Sequence, residues 1–258
     1  MIIHGINAVT EALQEEKPNL ERIFVTRGRT SPRLQNIIDL ARARRIPVQF
    51  QPVEALTRKA ETPRHQDVVA ELSAGELASL DEILEGQPTL ILALDGVEDP
   101  RNLGAVLRTA EAAGADGILL PRHHSCGITP AVVQVSAGAA LHLKIARIGN
   151  LVTTLESLKE QGFWVVGLDM QGKNQVREID ADTRLVVVIG GEHRGVRPLV
   201  RQHCDFLISL PMKGRVSSLN LSVAAGILLY QLIERGEKDL KDPKDPKDPK
   251  DPKDPKDE

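Results

Sequence analysis

The sequence predicts an α/β protein: a small α/β unit followed by a larger one built on a parallel sheet. Three observations carry that reading. Segments of strand type and helix type alternate along most of the 258 residues, and such alternation builds parallel sheets covered on both faces. The runs "TLILALDGV" and "RLVVVIG" are nearly unbroken apolar stretches, as in strands buried on both sides. The chain is 41% hydrophobic but only 2% aromatic, so its core must be aliphatic.

Residues 1–72 form the first unit. "NAVTEALQEE" predicts a helix and "LERIFVTR" a strand. "PRLQNIIDLARARR" places Leu34, Ile37, Ile38 and Ala41 at helical spacing, while "PVQFQP" and "DVVAEL" predict strands. Residues 73–88, "SAGELASLDEILEGQP", are polar and lack a strand pattern. They predict a linker with one or two helical turns, open to limited proteolysis.

The second unit spans 89–237. "TLILALDGV" is its first strand, and "NLGAVLRTAEAAG" a helix that stops at a glycine. "GILLP" is a strand, and the Thr-Pro of "TPAVVQVSAGAA" opens a helix. Then come strand "LKIARI", helix "LVTTLESLKEQG" and strands "FWVVGLD" and "RLVVVIG". Helix "RPLVRQHC", strand "FLISLPM" and a closing helix within "GRVSSLNLSVAAGILLYQLIERGE" complete the unit. Residues 238–258 carry the KDP repeat. Proline at every third position forbids a helix, and the balanced charges bury nothing, so this predicts a disordered tail.

Composition narrows the function. The net charge of −3 is no global basic signature. The first 70 residues nevertheless lean basic, with Arg27, Arg29, Arg33 and the "RARR" of Arg42 to Arg45. Such clusters suit phosphate contacts, and equally a solvated surface. One Trp and one Tyr leave few platforms for stacking bases. Cys126 and Cys204, with no CxxC, fit free thiols in a reducing cytoplasm. The N-terminus lacks the pattern of a signal peptide, and no apolar run reaches membrane-spanning length.

The common chemical motifs are absent. There is no G-x-x-x-x-G-K-[ST], and "GGEHRG" is not G-x-G-x-x-G. His123 and His124 are adjacent, so their side chains diverge, and no Cys/His cluster or HExxH accompanies them. No metal site is expected. No G-x-S-x-G elbow is present.

Three polar clusters remain, each after a strand of the second unit. "DGVEDPRNLGAVLRTAEA" places Asn102 and Gly104 at a strand-to-helix turn and Arg108 two helical turns in. "VVVIGGEHRGVRPLV" pairs two glycines, which allow close backbone approach to a ligand, with Glu192. "ISLPMKGRVSSLNLSVA" gathers Ser217, Ser218, Asn220 and Ser222 at a helix start, more polarity than one cap needs. Each has a plain structural reading. Arg108 could pair with Glu111 on the surface, Glu192 could be a loop carboxylate, and Asn102 could form an Asx turn. Ligands of open α/β sheets collect at strand carboxyl ends, and three such clusters there argue for one shared site.

"DPRNLGAVLRTAEAAGADGILLP", "VVVIGGEHRGV" and "SLPMKGRVSSLNLSVAAGILLY" resemble, in order and spacing, the three motifs of the knotted SpoU/TrmH-type methyltransferases of the SPOUT superfamily. "HGINAVTEAL" and "RHQDVVAEL" resemble the small RNA-binding domain of the 23S rRNA guanosine-2′-O-methyltransferase branch. The resemblance covers about residues 1–236.

It implies an RNA ribose 2′-O-methyltransferase with a C-terminal trefoil knot, working as a cytoplasmic homodimer in which both subunits build the active site. The cofactor would be S-adenosylmethionine, beside Gly190, Gly191, Leu210, Met212 and Leu219. Asn102, Arg108, Glu192, Ser218 and Asn220 match the catalytic positions. Ser217 and Ser222 would serve as cap and packing residues. Arg108 would stabilise the developing oxyanion or a neighbouring phosphate, since a guanidinium does not serve as a base. Asn102 would hold substrate or Arg108, and Glu192 would orient Arg108 or take the proton. The implied partner is RNA, 23S rRNA or its precursor particle; no membrane or metal is implied. Leu141 stands where the family usually has Glu. A tRNA ribose methyltransferase and a catalytically silent RNA-binding assembly protein are the competing readings.

Overall fold

The computed structural model describes residues 1–14, 20–72, 77–180, 182–192 and 195–241. The first unit contains β1 (Ile2–His4), α1 (Ile6–Gln14), β2 (Leu20–Thr26), α2 (Pro32–Ala43), β3 (Val48–Gln51), α3 (Val53–Ala60) and β4 (Val68–Leu72). Its sheet runs β1-β4-β2-β3, with β2 and β3 parallel and the other pairs antiparallel. α2 begins as its sequence dictates. Ser31 Oγ accepts the Leu34 N–H at 3.2 Å and a proline follows the cap. Leu34, Ile37, Ile38 and Ala41 are all buried, as their spacing predicts.

The second unit contains α4 (Leu80–Leu84), β5 (Leu90–Asp95), α5 (Pro100–Ala112), β6 (Gly117–Pro121), α6 (Pro130–Val135), β7 (Ile145–Ile148) and α7 (Leu151–Glu160). β8 (Trp164–Leu168), β9 (Leu185–Gly190), α8 (Pro198–Gln202), β10 (Phe206–Ile208) and α9 (Leu221–Lys241) follow. The six strands pair in parallel in the order β10-β8-β9-β5-β6-β7. β5 and β9 lie side by side near the middle, and every residue of β9 is buried. Parallel strands put all carboxyl ends on one edge, which brings the post-strand loops together.

Three boundaries differ from expectation. α5 starts at Pro100, not Asn102, because Asp99 caps it by accepting the Arg101 N–H at 2.8 Å. Asn102 and Gly104 therefore lie inside the helix. Gly104 is needed there because a Cβ would meet Val135 of α6 at 2.7 Å. "FLISLPM" yields only three strand residues, after which the chain leaves the sheet. Part of the linker segment 73–88 lies outside the described residues, and the rest carries the short helix α4, within the one or two helical turns expected. α4 carries a complete capping box between Ser79 and Glu82. Ile83 is buried against Gly117, where a Cβ would meet it at 2.5 Å. α9 is described to Lys241, three residues past the point where the KDP tail was expected to begin. The rest of that tail lies outside the described residues.

The two units share one core. Ile3, Val9 and Leu13 of the first belong to the same buried cluster as Leu92, Leu103 and Val132 of the second. α1 lies against the turn that ends α6. Gly138, at φ +98, has no room for a Cβ because Glu11 occupies that space. Glu11 pairs with His142 at 2.9 Å. Leu141 packs against the shared core, so the carboxylate beside this turn comes from α1.

Candidate active site

The three polar clusters meet at the carboxyl edge of the second sheet. Asn102, on the first turn of α5, donates through Nδ2 to Glu192 Oε1 at 2.7 Å. Asn220 donates through Nδ2 to Asn102 Oδ1 at 3.2 Å. Asn220 is the cap of α9: its Oδ1 accepts the Ser222 N–H at 2.9 Å and the Ser222 hydroxyl at 2.6 Å. Donors thus run in one direction, from Ser222 through Asn220 and Asn102 to the Glu192 carboxylate. Glu192 Oε2 keeps no partner among the described residues.

The glycines before Glu192 are demanded by the chain itself. A Cβ on Gly190 would strike Gly195 and Val196, and one on Gly191 would strike the Gly96 carbonyl. Gly191 O also accepts the Gly195 N–H at 3.0 Å. Both glycines also make close approaches to neighbouring backbone, at the crossing of the loops after β5 and β9.

Arg108 lies two turns along α5 from this network and is exposed. It has no hydrogen bond or ion pair among the described residues. Glu192 therefore holds Asn102, not Arg108, and Asn102 does not hold Arg108 either. The surface pairing of Arg108 with Glu111 does not form. Ser217 and Ser218 are exposed and outside the network, so the cap role expected of Ser217 belongs to Asn220. Leu210 is half-buried, whereas Met212 and Leu219 are 37% and 39% exposed on the stretch leading to α9.

The site is joined by a segment that the sequence reading left aside. After β8, Asp169 N–H donates to Ile208 O at 3.0 Å and Ser209 Oγ donates to Gly172 O at 2.8 Å. This loop braces the end of β10, from which Leu210 and Met212 depart. Asp95 and Arg197 were also missed. Asp95 is buried at the end of β5 and ion-paired with Arg197 at 2.7 Å. A lone acid closing an apolar strand was the available signal, because a buried charge requires a partner.

Residues 89–230 match the model of the SpoU rRNA Methylase family, and residues 2–78 match that for RNA 2′-O ribose methyltransferase substrate binding. The chain belongs to the SpoU rRNA methylase family. It is 43% identical over 239 residues to the 23S rRNA (guanosine-2′-O-)-methyltransferase RlmB of Pseudomonas putida, covering 90% of this chain and 96% of the relative. It is 41% identical over 236 residues to the Putative TrmH family tRNA/rRNA methyltransferase YacO of Bacillus subtilis, covering 90% and 94%. The structure of an AdoMet-bound rRNA methyltransferase from Sinorhizobium meliloti superposes with a TM-score of 0.75 at 26% identity, over 90% of this chain and 86% of that one. This SpoU-family chain is therefore matched along both units. Among its described residues no group of three His, Cys, Asp or Glu is placed to hold a metal ion, and no helix is long and apolar enough to cross a membrane.

Proposed function

We propose that this SpoU-family enzyme transfers a methyl group from S-adenosylmethionine to a ribose 2′-hydroxyl of RNA, at a guanosine of 23S rRNA. The observation that carries the reading is the directed chain from Asn220 through Asn102 to Glu192. It joins three post-strand segments, and it leaves Glu192 Oε2 without a partner among the described residues, where a substrate can approach.

The residues present fit the cofactor. Met212 and Leu219 expose apolar surface on the stretch leading to α9, a lining suited to an adenine face. S-Adenosylmethionine supplies the electrophilic sulfonium methyl when bound. Glu192 accepts the hydroxyl proton on Oε2 while Asn102 fixes its other oxygen. Arg108 places a planar guanidinium, without a partner among the described residues, against the alkoxide or an adjacent phosphate. Ser218 and Asn220 flank the ribose. Gly190, Gly191 and Leu210 complete the cofactor's surroundings, and the C-terminal part of the chain is knotted.

The enzyme works as a cytoplasmic homodimer. α9 buries Leu221, Ala225, Leu228 and Leu229 on one face. Its opposite stripe of Val223, Ile227 and Tyr230 stays 51%, 39% and 48% exposed. A helix apolar on two faces needs two partners, and a second copy supplies the outer one. Residues 1–72 grip the RNA and residues 89–237 carry the chemistry.

The test is mass mapping of rRNA and tRNA from a deletion strain, followed by methyl transfer to the unmodified RNA in vitro. Loss of one ribose methyl group from a 23S rRNA guanosine is the expected result. Loss from tRNA alone would replace rRNA as substrate, and no loss from any RNA would overturn the reading.

A further inference from the structure

We infer that Asp95 and Arg197 are positioning residues for the transfer, resting on the function proposed above: they lock together the loops after β5 and β9, the first leading into the helix turn that carries Asn102 and the second carrying Glu192. The Asp95 side chain is wholly buried, while that of Arg197 is half exposed. Asp95 Oδ1 accepts from Arg197 Nε at 2.7 Å and lies 2.7 Å from Nη2, and Oδ2 accepts the Arg197 backbone N–H at 2.9 Å. Both carboxylate oxygens are thus committed to one residue, through its guanidinium fork and its main chain.

The placement gives the pair its role. Asp95 is the last residue of β5, and the turn after it leads to Asp99, the cap of the helix bearing Asn102. Arg197 closes the loop after β9, five residues beyond Glu192. The two loops are therefore tied twice, at the root by Asp95 with Arg197 and at the tip by Asn102 with Glu192. Between the ties, the Gly96 carbonyl fills the space where a Gly191 Cβ would lie. A shift at the root is passed through this contact to Gly191, the neighbour of Glu192.

Stability alone does not call for this pair. A buried ion pair is commonly no better than apolar residues of similar volume, because desolvation offsets the attraction. What an apolar pair cannot supply is a fixed direction. The fork and the backbone N–H define where Arg197 stands relative to β5, and with it the reach from Glu192 to Asn102.

The test uses the full chain with Arg197→Lys, which keeps the charge but loses the fork, and Asp95→Asn. Single-turnover transfer at saturating RNA and cofactor should fall about 10²-fold in each, the scale expected when reacting groups are misplaced by about an ångström. KM for RNA and cofactor affinity by calorimetry should stay within about twofold. The Asn102 side-chain amide resonance in nitrogen-15 NMR should shift in Arg197→Lys. Combining Arg197→Lys with Asn102→Ala should be scarcely slower than the slower single variant, because both act through one hydrogen bond. An unchanged rate with a lowered melting temperature would overturn the inference, as would losses that multiply in the double variant. If wild type methylates no RNA, the proposed function falls, while the amide resonance still decides whether the root sets the tip.

Discussion

Asn102 and Glu192 are separated by 90 residues of sequence and joined by a 2.7 Å hydrogen bond, from the amide of one to a single carboxylate oxygen of the other. That asymmetry predicts the behaviour of Glu192→Gln. The glutamine carbonyl can still accept from Asn102, so the fold and cofactor affinity persist. The second position becomes an amide that cannot take a proton. Single-turnover transfer should fall at least about 10²-fold, the usual scale of a lost general base. Near-wild-type transfer would remove Glu192 from the proton path.

Arg108→Lys should be nearly as inactive as Arg108→Ala, with dimerisation and cofactor binding retained. A guanidinium can bridge an alkoxide and a phosphate with a planar fork, whereas an ammonium is a point charge on a flexible stem. Arg108 has no partner among the described residues, so neither change disturbs an ion pair. Stability should move by less than about 0.5 kcal/mol, as for surface positions generally. Rescue by lysine in single-turnover assays would show that bulk charge suffices.

Asn220 has two duties that a pair of substitutions separates. Asn220→Ala removes both the cap of α9 and the donor to Asn102. It should cost about 1 kcal/mol of stability in denaturant unfolding, together with activity. Asn220→Asp keeps an acceptor for the Ser222 N–H but presents no amide hydrogen to Asn102. It should retain the stability and lose the activity. Equal stability losses in both variants would contradict the capping role.

Ile227→Asp on the exposed stripe of α9 should yield a folded monomer by analytical ultracentrifugation. The charge lies on the face away from the core, so the circular dichroism spectrum should not change. A dimer that survives this substitution would place the subunit interface elsewhere.

Ile83→Ala tests the seat of α4. The side chain is buried against Gly117 and joins the cluster containing Ile91 and Leu119. Its truncation should cost roughly 2–5 kcal/mol and expose residues 79–88 to protease. In the wild type those residues should resist cleavage, in contrast to the open linker that their composition suggests.

The strands that position the site were legible because burial on both faces leaves an uninterrupted apolar record, as in Leu90–Asp95 and Leu185–Gly190. β1 was missed because three residues carry no period. α3 was missed because Leu56 is its one buried residue. The polar clusters were visible as excess polarity after strands, yet their wiring was not. The bond from Asn220 to Asn102 spans 118 residues, and nothing local in either segment names the other. The same holds for Gly190 and Gly191. Glycine announces a close approach, and only the folded chain says that the approaching group is its own backbone.

The contact of Gly138 with Glu11 has a metrical consequence. With no Cβ between them and a buried cluster continuous across both units, the first unit is seated on the second as part of one solid. Under the function proposed above, an RNA strand held by the first unit would meet the candidate site at a set offset, like cloth against a tailor's mark. On that proposal, selection of one ribose among thousands becomes partly a matter of length: the nucleotide that reaches Glu192 would be the one standing at the right distance from the feature held by the first unit. Lengthening the RNA between grip and target by a single nucleotide should move the methyl group to the neighbouring ribose or abolish its transfer.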